Sequence, residues 1–121
     1  MEEEKINNLL CKINGYIGTY SLDEIEKLSV RIFPSFMVIN LDLRSGIGTH
    51  WIAVALFLND VYVCDSLGAL IPTERIPTEL TNFLFRVSFN KRLHVSQQLQ
   101  PINSTKCGLY STYFVKSISE G

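Results

Sequence analysis

Cysteine is scarce in this chain: three in 121 residues, at Cys11, Cys64 and Cys107, with no Cys-x-x-Cys pair. An odd, widely spaced set argues against a disulfide framework and for free thiols in a reducing compartment. Histidine is scarcer still, at His50 and His94 alone. That is too few nitrogen donors, without clustered thiols, for a structural zinc site. No motif in the chain calls for a metal or a cofactor, so none is expected. An excess of either charge is also lacking: 11 basic against 12 acidic residues leave a formal charge of −1. Nucleic acid and anionic membranes attract proteins through a basic field, which this balance does not supply. Lys91-Arg92 is too small a cluster to replace it. Long hydrophobic runs are missing too. The most apolar stretch, Trp51 to Leu58, falls well short of the roughly 20 residues of a membrane span. The opening Met1-Glu2-Glu3-Glu4-Lys5 lacks the basic-then-apolar layout of a secretion signal, so the expected protein is not secreted.

What is present is a strongly core-forming composition. Hydrophobic residues make up 46% of the chain, with seven Phe, five Tyr and one Trp. That is the wrong composition for disorder and about the right length for one domain over residues 1–121. Ile6, Leu9, Leu10 and Ile13 recur at helical spacing and predict an amphipathic helix over residues 3–13, ended by Gly15 and Gly18. Ser21 followed by Glu24 matches a capping box opening a short second helix, with Leu22, Ile25 and Leu28 facing inward and Pro34 closing the region. Phe36 to Leu43 reads as a strand. Trp51 to Leu58 is apolar on both faces and reads as a central strand covered on both sides. Asn59-Asp60 is a candidate two-residue turn into a returning strand, Val61 to Asp65. Thr78 can cap a helix to about Asn90, with Leu80, Phe83, Leu84 and Val87 as its stripe. Residues 93–99 predict a short strand, and Leu109 to Val115 a final buried helix. The expected fold is α+β: a central mixed, mostly antiparallel sheet flanked by helices.

Four residues stand where thiol chemistry needs them. His50 follows Gly48-Thr49 at the entrance of the central strand, a rigid and partly open position that suits a general base. Taken alone, it reads equally as a surface or core-edge histidine. Asp65 ends the returning strand. If Leu58 pairs with Val61 across the turn, Asp65 falls opposite Val54 and shares a face with His50. The gap along the strand is then too long for direct contact in an ideal ladder, so a bulge or strong twist is required. Cys64 faces the other way, into the core. Ser104 or Thr105 can cap the last helix, which puts Cys107 in its first turn. There the helix dipole and free N–H groups favour a thiolate. The N–H groups of Cys107 and Gly108 are positioned for an oxyanion, and Gln100 is a neutral donor suited to the same task. A histidine, an acid and Gln-x6-Cys-Gly together fill every role of thiol acyl transfer.

Gly48-Thr49-His50-Trp51, then Asp65-Ser66-Leu67-Gly68, then Gln100 through Cys107-Gly108-Leu109-Tyr110 resemble the motifs of adenovirus-type cysteine endopeptidases, related to Ulp-type SUMO proteases. The motifs occur in family order and span about half of the chain. The resemblance implies a triad of His50, Asp65 and Cys107, with Gln100 in the oxyanion hole. The helix bearing Cys107 would be the buried helix of an Ulp- or adenain-like, papain-related core. Trp51 is then expected under the substrate cleft, although as a strand residue it is equally plain core. The implied partner is a protein or peptide with Gly near the scissile bond, such as a viral or virus-like structural precursor. The resemblance leaves room for an activating peptide. It places the protein in host cytoplasm, nucleus or virion. Asp65 stands where the adenoviral branch commonly has Glu, and the chain reads as a minimal catalytic core. The alternatives are removal of a ubiquitin-like modifier, acyl transfer to a side chain, or a binding module that keeps the fold without catalysis. His94 sits in or near a strand, lacks a close acidic neighbour and reads as structural.

Overall fold

A computed structural model of the chain describes residues 3–41, 51–64, 78–95 and 107–120. The elements run α1 (Glu3–Leu10), β1 (Tyr16–Ser21), α2 (Leu22–Ile25), β2 (Ser35–Asn40), β3 (Trp51–Leu56), β4 (Asp60–Cys64), α3 (Thr78–Val87), β5 (Arg92–Val95) and α4 (Cys107–Ser119). Among the described residues the strands form one mixed sheet in the order β1-β2-β3-β4-β5. Its outer pairs, β1 with β2 and β4 with β5, are parallel; the two inner pairs are antiparallel. The α+β expectation holds, and the sheet is mixed.

β3 is the centre. All six of its residues are buried, because each face of the sheet carries its own helical layer. Ile52, Val54 and Leu56 join Met37, Ile39, Val61 and Val63 under α2 and α3, which contribute Leu22, Ile25, Leu80, Phe83 and Leu84. Trp51, Ala53 and Ala55 join Phe36, Val38 and Cys64 on the other face, against Ile6 and Leu10 of α1 and Val115 of α4. The two alanines matter here. Their short side chains let α4 lie chiefly over β3. Burial on both faces is what an unbroken apolar run requires.

β1 departs from the sequence reading, which ended a helix at Gly15 and Gly18 and saw no strand before Ser21. The glycines instead shape a strand. Gly15 has φ +95° and accepts the Phe36 N–H at 2.8 Å, while a Cβ on it would come within 2.8 Å of the Pro34 carbonyl oxygen. Gly18, at φ +132°, takes up the register shift that follows Tyr16. α2 then starts as expected: the Glu24 carboxylate accepts the Ser21 N–H at 2.9 Å and completes the capping box.

Three boundaries also differ. α3 ends at Val87, and the chain turns through Asn90 at φ +59°, a left-handed position that Asn tolerates. β5 begins one residue early, at Arg92, and residues 96–99 of the expected strand lie outside the described residues, as do 42–43 of β2. The β3–β4 turn falls one residue earlier than expected, on Leu58-Asn59. Phe57 donates its N–H to the Asp60 carbonyl at 2.8 Å, and Leu56, not Leu58, pairs with Val61. The Phe57 ring packs edge-on against both Phe36 and Tyr62, with centroids 5.9 and 5.7 Å away.

Candidate functional site

The register change alters the geometry expected for the site. Every β4 residue sits opposite a β3 residue two positions earlier than the Asn59-Asp60 turn predicted, so Cys64 pairs with Ala53 rather than with Ala55. A shift of two preserves which face each residue occupies. It also carries the end of β4 closer to the start of β3. Cys64 is fully buried on the face that α4 covers, in keeping with its reading as a core residue.

α4 runs alongside β3 in the same direction. Ser111 donates a hydrogen bond to the Trp51 carbonyl at 3.2 Å, while Ile118 lines a cavity with Phe57, Asp60 and Tyr62 at the far end of β3. α4 begins at Cys107, one turn ahead of Ser111. At about 1.5 Å of rise per residue, that places the start of the helix roughly 6 Å beyond Ser111 along its axis. The helix therefore opens at the sheet end where β3 begins and β4 stops. A helix start carries the positive end of the dipole, and the first turn of α4 contains no acidic residue to offset it.

The backbone of Cys107 and Gly108 is thus at a helix start, as the sequence suggested. His50, Asp65 and Gln100 lie outside the described residues. His50 is bonded to Trp51, the first residue of β3, and Asp65 to Cys64, the last of β4. Trp51 itself is buried, 4% exposed, in the α1–α4 core. Cys11 is exposed and Cys64 buried. Among the described residues no helix is long and apolar enough to cross a membrane.

His94 corrects the sequence reading. It has an acidic neighbour: its Nε2 lies 2.9 Å from Asp60 Oδ1, and its ring stacks on Tyr62 with centroids 4.4 Å apart. Arg92 also pairs with Asp60, at 2.9 Å through Nε. The hydrogen bond from His94 above all, then that from Arg92, holds the Asp60 carboxyl below the usual carboxylate range. Parallel pairing of β4 with β5 makes these contacts, setting Asp60 beside Arg92 and Tyr62 beside His94. Sequence offered no cue, because the partners are more than thirty residues apart and one of them was read as a turn residue. The cluster contains no thiol or aliphatic hydroxyl. It sits at the opposite end of β3 from the start of α4, and its action is to fasten the edge strand.

No protein-family profile matches the chain, and no curated protein matches it by sequence. In fold it is similar to the central domain of the uncharacterised protein Lpg1148 from Legionella pneumophila. That likeness has a TM-score of 0.57 at 15% identity and covers 99% of this chain and 76% of the other. At that identity it speaks to fold alone.

Proposed function

We propose that the chain is a thiol endopeptidase of the adenain and Ulp type, with Cys107 as nucleophile, His50 as base and Asp65 as the group that orients the base. One observation carries this reading. The helix beginning at Cys107 is bonded through Ser111 to the Trp51 carbonyl, and Trp51 is the neighbour of His50. Cys64, the end of β4 and the neighbour of Asp65, pairs with Ala53, two residues along β3 from Trp51. The described neighbours of His50 and Asp65, Trp51 and Cys64, thus lie with the first residue of α4 at one end of the sheet, which supports the reading.

His50 takes the Cys107 proton, and Asp65 stabilises the imidazolium and fixes its tautomer. The thiolate attacks a peptide carbonyl. The Gln100 amide and the N–H groups of Cys107 and Gly108 hold the oxyanion. His50 then protonates the leaving amine. Water, activated by the same imidazole, cleaves the thioester and restores the thiol. The odd number and wide spacing of the cysteines suit a reducing intracellular compartment.

Incubation with peptides carrying Gly before the scissile bond, and separately with a folded modifier ending in Gly-Gly, tests the reading by mass spectrometry. Cleavage after Gly that vanishes in Cys107→Ala and His50→Ala is expected. Cleavage of the folded modifier alone would reassign the substrate to a ubiquitin-like protein. Acetyl transfer dependent on acetyl-CoA, or no turnover of any substrate, would overturn endopeptidase activity.

A further inference from the structure

Ser111 is fully buried in α4, next to the equally polar and buried Thr112, and it is not idle. A buried serine inside a helix ordinarily returns its hydroxyl to the carbonyl four residues earlier, which here belongs to Cys107. Ser111 donates to the Trp51 carbonyl at 3.2 Å, across the helix–sheet interface. This tie between α4 and β3 lies one turn from the helix start and at the first residue of the strand. Beside it, Ala53 and Ala55 offer α4 a smooth, shallow surface that resists sliding less than large interlocking side chains would.

We propose that Ser111 is a positioning residue that sets the axial register of α4 against the entrance of β3. This inference rests on the endopeptidase reading, since only then does the register decide whether a thiol at the helix start meets a base at the strand entrance. Small displacements of such pairs are costly. A shift of about 1 Å from productive geometry can lower a rate by roughly a hundredfold. Loss of the hydroxyl leaves the Trp51 carbonyl without this donor and frees the helix to settle elsewhere on the alanines.

The test compares wild type with Ser111→Thr and Ser111→Val, which are close in shape and differ in the hydroxyl. The rate of Cys107 alkylation by iodoacetamide is followed against pH by mass spectrometry, with exposed Cys11 as internal reference and thermal melts run in parallel. His50→Ala is carried through the same series. Wild type and Ser111→Thr are expected to share a low midpoint. Ser111→Val is expected to rise by about one pH unit, so that below the midpoint labelling is roughly tenfold slower, with Cys11 unchanged. A folded Ser111→Val with the wild-type midpoint would overturn the positioning role while leaving the endopeptidase reading intact. If valine prevents folding, Ser111→Ala supplies the same comparison without added bulk. A wild-type midpoint equal to that of His50→Ala would instead remove the thiol–imidazole pair itself, and the positioning role with it.

Discussion

Asp60 and His94 meet at 2.9 Å across the parallel junction of β4 and β5, and together with Arg92 they hold the edge strand to the sheet. All four residues of β5 are exposed, so little apolar burial secures it. The polar bonds matter more here than in the interior strands.

Acid should therefore loosen β5. The Asp60 carboxyl is held low in the folded protein, first by the His94 bond and then by Arg92. Its contribution is fully present above the unfolded value of about 3.9 and is lost as pH falls through the lower folded value. Asp60→Asn is expected to melt below wild type at pH 5–7, with the gap closing as pH falls below about 4. Thermal melts across that range check it. A gap independent of pH would show that the carboxylate charge is not what binds the strand.

Gly15 predicts a second effect. Its φ of +95° is strained for any residue with a Cβ, and that Cβ would crowd the Pro34 carbonyl. Gly15→Ala is expected to cost about 1–3 kcal/mol, measured by chemical denaturation. The loss should fall on the β1–β2 pairing that its carbonyl begins, seen as faster amide exchange at Phe36.

Arg86 closes the end of α2 from outside. Its guanidinium donates to the carbonyls of Ile25, Glu26 and Leu28 at 2.9, 3.2 and 2.9 Å, and it lies over the Phe83 ring. A four-residue helix cannot satisfy its own last carbonyls, so this fork acts as its cap. Arg86→Ala is expected to lose about 1–2 kcal/mol in a denaturation experiment, discounted for solvent exposure. Arg86→Lys should recover only part of it, because one ammonium cannot span three carbonyls.

These contacts separate what could be read from the chain from what could not. β3 was legible because an unbroken apolar run from Trp51 has no solution except burial on both faces. α1 and the Ser21 capping box were legible because their signals are local. β1 was hidden by Gly15 and Gly18, which read as helix terminators but serve a strand whose partner, β2, comes after α2. The turn sits one residue before the Asn59-Asp60 signal, on Leu58-Asn59, with the Phe57 ring held against Phe36 and Tyr62. The Asp60–His94 pair depends on the parallel crossover through α3, which no local pattern encodes. At the candidate site, the position of Cys107 at a helix start was legible from the polar residues before it and the apolar stripe after it. Ser111 is silent in the sequence because a Ser-Thr pair inside a helix carries no signal until its acceptor on β3 is known.

The central claim is that Cys107 and His50 form a thiolate–imidazolium pair. The most direct measurement is the alkylation rate of Cys107 against pH in wild type and His50→Ala, read by mass spectrometry without any substrate. Wild-type Cys107 is expected to react well below pH 8, and His50→Ala to lose this reactivity. A Cys107 that titrates near the ordinary thiol value of about 8.5 in both proteins would contradict it.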